Sequence, residues 1–395
     1  MLFPTGNAHL PALLGLLLVV GCRNGNVKQL PIHLHEDACA GGVDNNKIRL
    51  VSVGSDSACA VTCSGAIKCW GRNSCGQLGD GTTTDRTVPV EVQNPGSGVK
   101  AIAVGGGYAC AVSSAGGVRC WGAQGCMFGD RGVSPLPTDI VGLESGVTAI
   151  AIGEEHTCVL LNVGVKCWNN TEDDEEPIGD GSTTQAYLSP VDEPGLGPGV
   201  IDIDAWGTSC AVTSTGGVKC WGNNMSGQVG NGESALAVPT PVDVIGLGSG
   251  VSRIGVSHSF VCALTDAGTV KCWGNNQAGS LGDGTTESHF TPVDVVGLSG
   301  VAAMDVGTST CVIGAEGGLK CWGANFWGTL GDGTTTDRST PGDVVGLASG
   351  VTAISSGWGQ VCAITGAGVL KCWGRSFWGE KGTNTLTPVE VEMKP

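Results

Sequence analysis

The chain has 395 residues, 68 of them glycine, with 41% apolar and only 5% aromatic residues; its 11 tryptophans outnumber phenylalanine and tyrosine together. So much glycine beside so much apolar content reads as short strands and tight turns and excludes a disordered chain. Twenty basic residues against 36 acidic ones give a formal net charge of −16, without the basic footprint of a DNA or RNA binder, so no nucleic acid is expected as partner.

The chain opens with a 12-residue, almost wholly apolar stretch, Leu10 to Gly21, followed by Cys22. It is too short to cross a bilayer, which takes about 20 residues, and suits the apolar region of a secretory signal. Val19-Val20-Gly21-Cys22 resembles a bacterial lipobox, although no Lys or Arg precedes the stretch, only His9. The expectation is a lipoprotein signal over 1–21, a lipid on Cys22 and a tether over 22–47. The resemblance to lipoprotein sorting, with Arg23 after the cysteine, implies the outer membrane or cell surface, with contact to the membrane only through the lipid; a plain signal would give a secreted protein. The tether holds His33-Leu34-His35-Glu36-Asp37, which reads as a polar linker rather than a zinc or copper site. Nineteen cysteines behind an export signal point to disulfides; setting Cys22 aside leaves eighteen.

From residue 48 onward the chain repeats. Lys/Arg-Cys-Trp recurs at Cys69, Cys120, Cys167, Cys220, Cys272, Cys321 and Cys372, at spacings of 47 to 53. Each has a partner upstream, at Cys59, Cys110, Cys158, Cys210, Cys262, Cys311 and Cys362, ten residues earlier in six repeats and nine in the third. Setting Cys210 opposite Cys220 on antiparallel strands leaves Ser214-Thr215-Gly216 as a three-residue turn, whose third residue should be left-handed and hence glycine. Gly65, Gly116, Gly268, Gly317 and Gly368 hold the same place. The third repeat is left with a two-residue turn, Asn162-Val163, in which Asn162 is the expected left-handed residue. This hairpin supplies strands B and C. A short apolar strand A precedes it, and a fourth strand, D, starts at Pro89, Pro137, Pro190, Pro241, Pro292, Pro341 or Pro388. Four strands per repeat of about 50 residues, seven times over, predict an all-β, seven-bladed β-propeller filling 48–395.

Trp70-Gly71-x-Asn73-x-x-Gly76-Gln77-Leu78-Gly79-Asp80-Gly81, and Gly153-Glu154-Glu155-His156-Thr157-Cys158, resemble the repeat of the regulator-of-chromosome-condensation family. The resemblance covers residues 48 to 392 and implies the same fold. The paired cysteines depart from the eukaryotic pattern, as do the acidic run Glu172 to Glu176 and the last repeat near Gly379-Glu380-Lys381-Gly382; together they suggest an exported, disulfide-rich bacterial branch.

Seven bridges are therefore expected within hairpins: Cys59–Cys69, Cys110–Cys120, Cys158–Cys167, Cys210–Cys220, Cys262–Cys272, Cys311–Cys321 and Cys362–Cys372. Cys39, Cys63, Cys75 and Cys126 remain, with three possible pairings. The up-down strand order puts the A–B and C–D loops on one face, here the upper, and the B–C turns and D–A links on the lower. Cys63 and the entering tether lie below, Cys75 and Cys126 above, which favours Cys39–Cys63 and Cys75–Cys126.

The lysine or arginine before each second cysteine, Lys68, Arg119, Lys166, Lys219, Lys271, Lys320 and Lys371, forms a ring that reads as side chains packed across the hairpin with their charges near acidic loops. Asp80-Gly81, Asp180-Gly181, Asp283-Gly284 and Asp332-Gly333 are turn chemistry rather than calcium loops, and the 172–176 run reads as a solvated loop. No metal, cofactor or catalytic constellation is expected, so the chain is not expected to be an enzyme. The lower face is monotonous; the upper varies in its aromatics. Tyr108, Trp206, Phe260 and Trp358 are the expected binding residues, with His156 and His258 in the same loops and Phe326, Trp327, Phe377 and Trp378 in the C–D loops, where Trp327 and Trp378 are expected to pack between blades. The predicted function is a monomeric binding or scaffold module for a protein or glycan. Two alternatives stand beside it: a secreted enzyme inhibitor, from a similarity to a β-lactamase-inhibitory propeller, and a guanine-nucleotide exchange factor, from the family name alone.

Overall fold

The computed structural model describes residue 39 and residues 46–122, 133–154, 156–169, 177–182, 188–375 and 384–393. Seven four-stranded antiparallel sheets stand in a ring, each in the order A-B-C-D. Blade 1 is built from Ile48–Val53, Ser57–Thr62, Ile67–Gly71 and Arg86–Glu91. The remaining blades follow over 99–139, 147–192, 200–243, 251–294, 301–343 and 351–390. Every blade is contiguous in sequence, so the ring closes by packing of blade 7 on blade 1 and not by strand exchange. Ile48 donates to the Gly368 carbonyl and Val53 to the Ser355 hydroxyl across that seam.

The hairpin geometry is the one the cysteine spacing predicts. Cys210 faces Cys220, Ala211 faces Lys219 and Val212 faces Val218, and Gly216 takes φ +76° in the turn. All seven hairpin disulfides form, with Cα atoms 4.0–4.2 Å apart. Cys39–Cys63 also forms, at 5.5 Å, and ties the segment before blade 1 to the lower face. Cys75 is disulfide-bonded; Cys126, its expected partner, lies outside the described residues, as do Cys22, His33 to Asp37, Glu172 to Glu176, Phe377 and Trp378.

Two local readings need correction. Asn162 is not left-handed: among the described residues Asn94 is the only non-glycine with positive φ, and Gly164 takes the unusual angle of the short turn. Nor do the prolines begin strand D. Pro89 is the fourth residue of Arg86–Glu91, and Pro137, Pro241, Pro292, Pro341 and Pro388 are likewise inside their strands; only Pro190 precedes its strand. In blade 1 the C–D register breaks at this point, between Cys69 and Gly71. Strand D is the outer edge of its sheet, where a missing N–H breaks no ladder on the solvent side.

The core lies between blades. Trp70, Trp121, Trp168, Trp221, Trp273, Trp322 and Trp373, one per repeat, are all fully buried. Among the described residues, five of their indoles donate to a carbonyl of the preceding blade's C–D loop, as Trp273 does to Gln228 at 2.8 Å. Each ring removes on the order of 200 Å² from water, worth about 5 kcal/mol. The tryptophans are thus the pegs that join neighbouring repeats.

Candidate functional site

The four expected binding residues part into two kinds. Tyr108 and Phe260 are buried, which removes them from any docking surface. Each is the first residue of a strand B and turns into the blade interface. The Tyr108 hydroxyl meets Thr157 of blade 3, and Phe260 packs in the cluster that holds Trp322 of blade 6. His156 occupies the same strand position and is equally buried, bonded to Ser209; burial pulls its pKa down to about 4.

Trp206 and Trp358 stay at the surface, and the fold brings them together. They belong to the A–B loops of blades 4 and 7, yet their rings stack with centroids 6.2 Å apart and planes 26° apart. Blades 4 and 7 stand across the ring from one another, so the pair spans the mouth of the axial channel. His258 of blade 5 meets Trp358 edge-on at 6.1 Å. Trp327 of blade 6 is tilted against Trp358 at 6.2 Å and carries Phe326 edge-on at 5.5 Å. It does pack towards the next blade, as expected, but remains half-exposed there, with the Arg375 guanidinium 5.7 Å above its ring. Phe326 is 74% exposed and Trp358 37%. Charged groups edge the patch: Glu154 accepts from the Trp206 indole at 3.2 Å, and Asp56 pairs with Arg72 and Arg375. An exposed aromatic cluster with a charged rim has the composition of a recognition surface.

Beneath the mouth lies a cavity of about 180 Å³, lined by strand A of all seven blades and by Trp206. Strand A is the inner edge of each sheet, so some of its N–H groups need acceptors from outside the sheet. The preceding blade supplies them. Val104 donates to Ser52, Ile254 to Asp202, Val256 to Asp204 and Ser356 to Asp305. Burial raises all three carboxyls. Arg253 opposes the rise at Asp202, which reaches about 6, and at Asp305, which reaches about 7, while Asp204 rises well above the usual range.

The basic ring is accounted for by pairing. Arg119, Lys166, Lys219, Lys271 and Lys320 bond to Asp139, Asp192, Asp243, Asp294 and Asp343 at 2.5–2.8 Å. The acids sit on strand D directly across from each base, not in acidic loops as the sequence suggested; Lys68 faces Glu91 and Lys371 faces Glu390 in the same register. The Asp-Gly aspartates are turn acceptors: Asp80, Asp283 and Asp332 each take the N–H and hydroxyl of the threonine two residues on, and Asp180 takes the Ser182 N–H. Among the described residues no group of three or more His, Cys, Asp or Glu could hold a metal.

Sequence reasoning missed the channel acids and the role of the repeated tryptophans. A signal for the former exists. At the fifth residue of strand A the blades read Ser52, Ala103, Ala151, Asp204, Gly255, Asp305 and Ser355, and aspartate amid small residues on an inward face is conspicuous.

Comparison with known proteins agrees with this architecture. Models of the regulator of chromosome condensation (RCC1) repeat match residues 64–112, 267–313 and 316–364, and in a second version 48–77 and 251–280. The ultraviolet-B receptor UVR8 of Arabidopsis thaliana is 26% identical over 67% of this chain and 61% of its own length. The E3 ubiquitin-protein ligase HERC2 of Homo sapiens is 31% identical over 63% of this chain but 5% of its own. The chain therefore spans about three-fifths of the receptor and a twentieth of the ligase. Among solved structures, Prp20p of Saccharomyces cerevisiae superposes with a TM-score of 0.70 at 17% identity, covering 78% of this chain and 80% of that one. Human WBSCR16 does so at 0.69 and 19%, covering 83% and 94%; at these identities the likeness shows the fold alone. Repeat matches that reach five of the seven blades, and one hairpin-and-tryptophan plan in all of them, place the chain in the RCC1 repeat family.

Proposed function

We propose that this RCC1-like β-propeller is an exported, lipid-anchored binding module that captures a protein partner on the aromatic face around Trp206 and Trp358. The observation that carries the reading is the cluster itself. Four loops from blades 4 to 7 converge to leave tryptophan, histidine and phenylalanine in water, where burial by a partner is worth most. Prp20p has binding properties to Gsp1p and histones, so proteins are bound by a propeller of this shape. The eight described disulfides fit an oxidising compartment, and the tether joined to the lower face through Cys39–Cys63 would leave the upper face turned away from the membrane. The test pairs two variants. Cys22→Ser should release the protein from the membrane fraction. Trp206→Ala with Trp358→Ala should abolish cross-linking to the partner in the envelope while circular dichroism stays native. Retention of both membrane attachment and cross-linking would refute the reading.

A further inference from the structure

The links from strand D to the next strand A run beneath the hairpins. In blade 2, Val118, the first residue of strand C, accepts from Ile140 and donates to Leu143, and Gly146 donates to Ala115 in the B–C turn. Val141 lies between these anchors with its side chain in water, and the same place in blades 3 to 6 is held by Pro194, Ile245, Val296 and Val345, all of them exposed. In blades 1 and 7 it is Gln93 and Glu392. Val163, in the B–C turn of blade 3, is exposed on the same face. The neighbouring link residues Val244 and Leu247 are buried, so packing accounts for them and not for the exposed ones. Each of the five exposed link residues stands two places past the strand-D aspartate that pairs with the strand-C base. The arc therefore alternates apolar side chains with ion pairs of no net charge, although the chain carries −16 overall. Its polar gap falls at blades 7 and 1, where the chain enters. There Lys47 accepts from Cys63, Cys39 is bridged to Cys63, and Asn46 and Lys47 line a cavity with residues 390–393 of blade 7.

We propose that the lower face rests on a zwitterionic lipid surface, with the arc from Val141 to Val345 set into the headgroup layer. Equivalent residues of a propeller lie on one circle across its axis, so a flat surface meets all five together. Apolar side chains among paired charges suit the boundary between headgroups and acyl chains; an arc of one sign would instead select lipids of the opposite charge. The chain outside the structure reaches this face. Cys39 follows Cys22 by 17 residues, a span of at most about 60 Å, so an anchor at Cys22 allows the contact without enforcing it, and the arc supplies the contact. This inference rests on the anchoring in the proposed function and not on the capture of a protein above.

The test places a photoreactive phenylalanine analogue at position 141, at 245 or, on the upper face, at 326. Each full-length lipidated chain is reconstituted into phosphatidylcholine vesicles, floated and irradiated, and adducts are identified by mass spectrometry. Flotation reads the anchor and the adducts read the face. Lipid adducts are expected at 141 and 245 and none at 326. Val296→Asp with Val345→Asp, both at exposed sites, should lower the yield at 245 about fivefold while flotation is unchanged. Flotation without lipid adducts at 141 and 245, an equal yield at 326, cross-linking of 245 to a second copy of the chain in place of lipid, or an unchanged yield in the double variant would overturn the proposal and leave the anchoring intact. Loss of flotation would overturn both.

Discussion

Glu193 is the residue whose replacement should most improve the protein. Seven equivalent positions just beyond strand D donate their N–H to the first residue or two of strand C, and they read Val92, Ile140, Glu193, Val244, Val295, Val344 and Val391. Six are apolar because the site packs under the next blade's tryptophan. A Cβ on Gly79 would touch both Val92 and Trp121, and one on Gly179 would touch both Glu193 and Trp221. Glu193 is 5% exposed, and its Oε1 has no partner. Burial, against a bond from the Gly195 N–H and aided by the charge of Asp180, raises its pKa from 4.5 to about 8. The folded chain therefore holds a proton that the unfolded chain releases, so stability is greatest below the unfolded pKa and declines as pH rises through the folded one. Without water in the site the shift is worth about 5 kcal/mol at high pH. Water reaching the site would leave roughly half, so Glu193→Val should gain about 2–3 kcal/mol at pH 8.5 and about 1 kcal/mol at pH 4.5, where only the unsatisfied neutral carboxyl is relieved. Glu193→Gln should fall between. Denaturant unfolding of the oxidised protein at the two pH values reads this directly. Asp202, Asp204 and Asp305 titrate with the same sign, so the slope is reduced rather than abolished. An equal gain at both pH values, or a loss at pH 8.5, would refute the argument.

Other consequences are open to measurement. Trp273→Ala removes a buried ring and its bond to the Gln228 carbonyl, and should cost about 3–5 kcal/mol in the same unfolding assay. Replacing Cys262 and Cys272 together by alanine frees a short loop and should cost at most about 3 kcal/mol while far-ultraviolet circular dichroism stays native. Trp358→Ala breaks the stack on Trp206 at a partly exposed site. It should change the near-ultraviolet circular dichroism while lowering stability by no more than about 1 kcal/mol in denaturant unfolding.

What could be read from the sequence was what is local. Cysteines nine or ten residues apart and a glycine in the turn fix the hairpin, and seven copies of it fix the propeller. The pegging tryptophans were visible as a repeated letter, but their acceptors lie 42 to 45 residues upstream in another blade, a relation that appears only once the ring is built. Tyr108 and Phe260 were misplaced because strand B starts with them. Assigned to a loop they face solvent; as the first strand residue they face the neighbouring blade, since pleating fixes the side. The meeting of Trp206 with Trp358 joins blades 152 residues apart, and only closure of the ring brings them into contact. Asp202 and Asp204 were legible as alternate residues of one strand, yet their setting depends on Asp305 from another blade.

The most direct test of the binding face is site-specific photo-cross-linking in intact cells. A photoreactive phenylalanine analogue replaces Phe326 in the aromatic cluster or, for comparison, Val141 in a lower-face link, where the side chain is 85% exposed. The two positions are both open to water and differ in which end of the propeller they mark. A partner held on the aromatic face should give a discrete cross-linked protein species from position 326 and none from position 141. Cross-links from position 141 alone would place the partner on the opposite face and contradict this assignment.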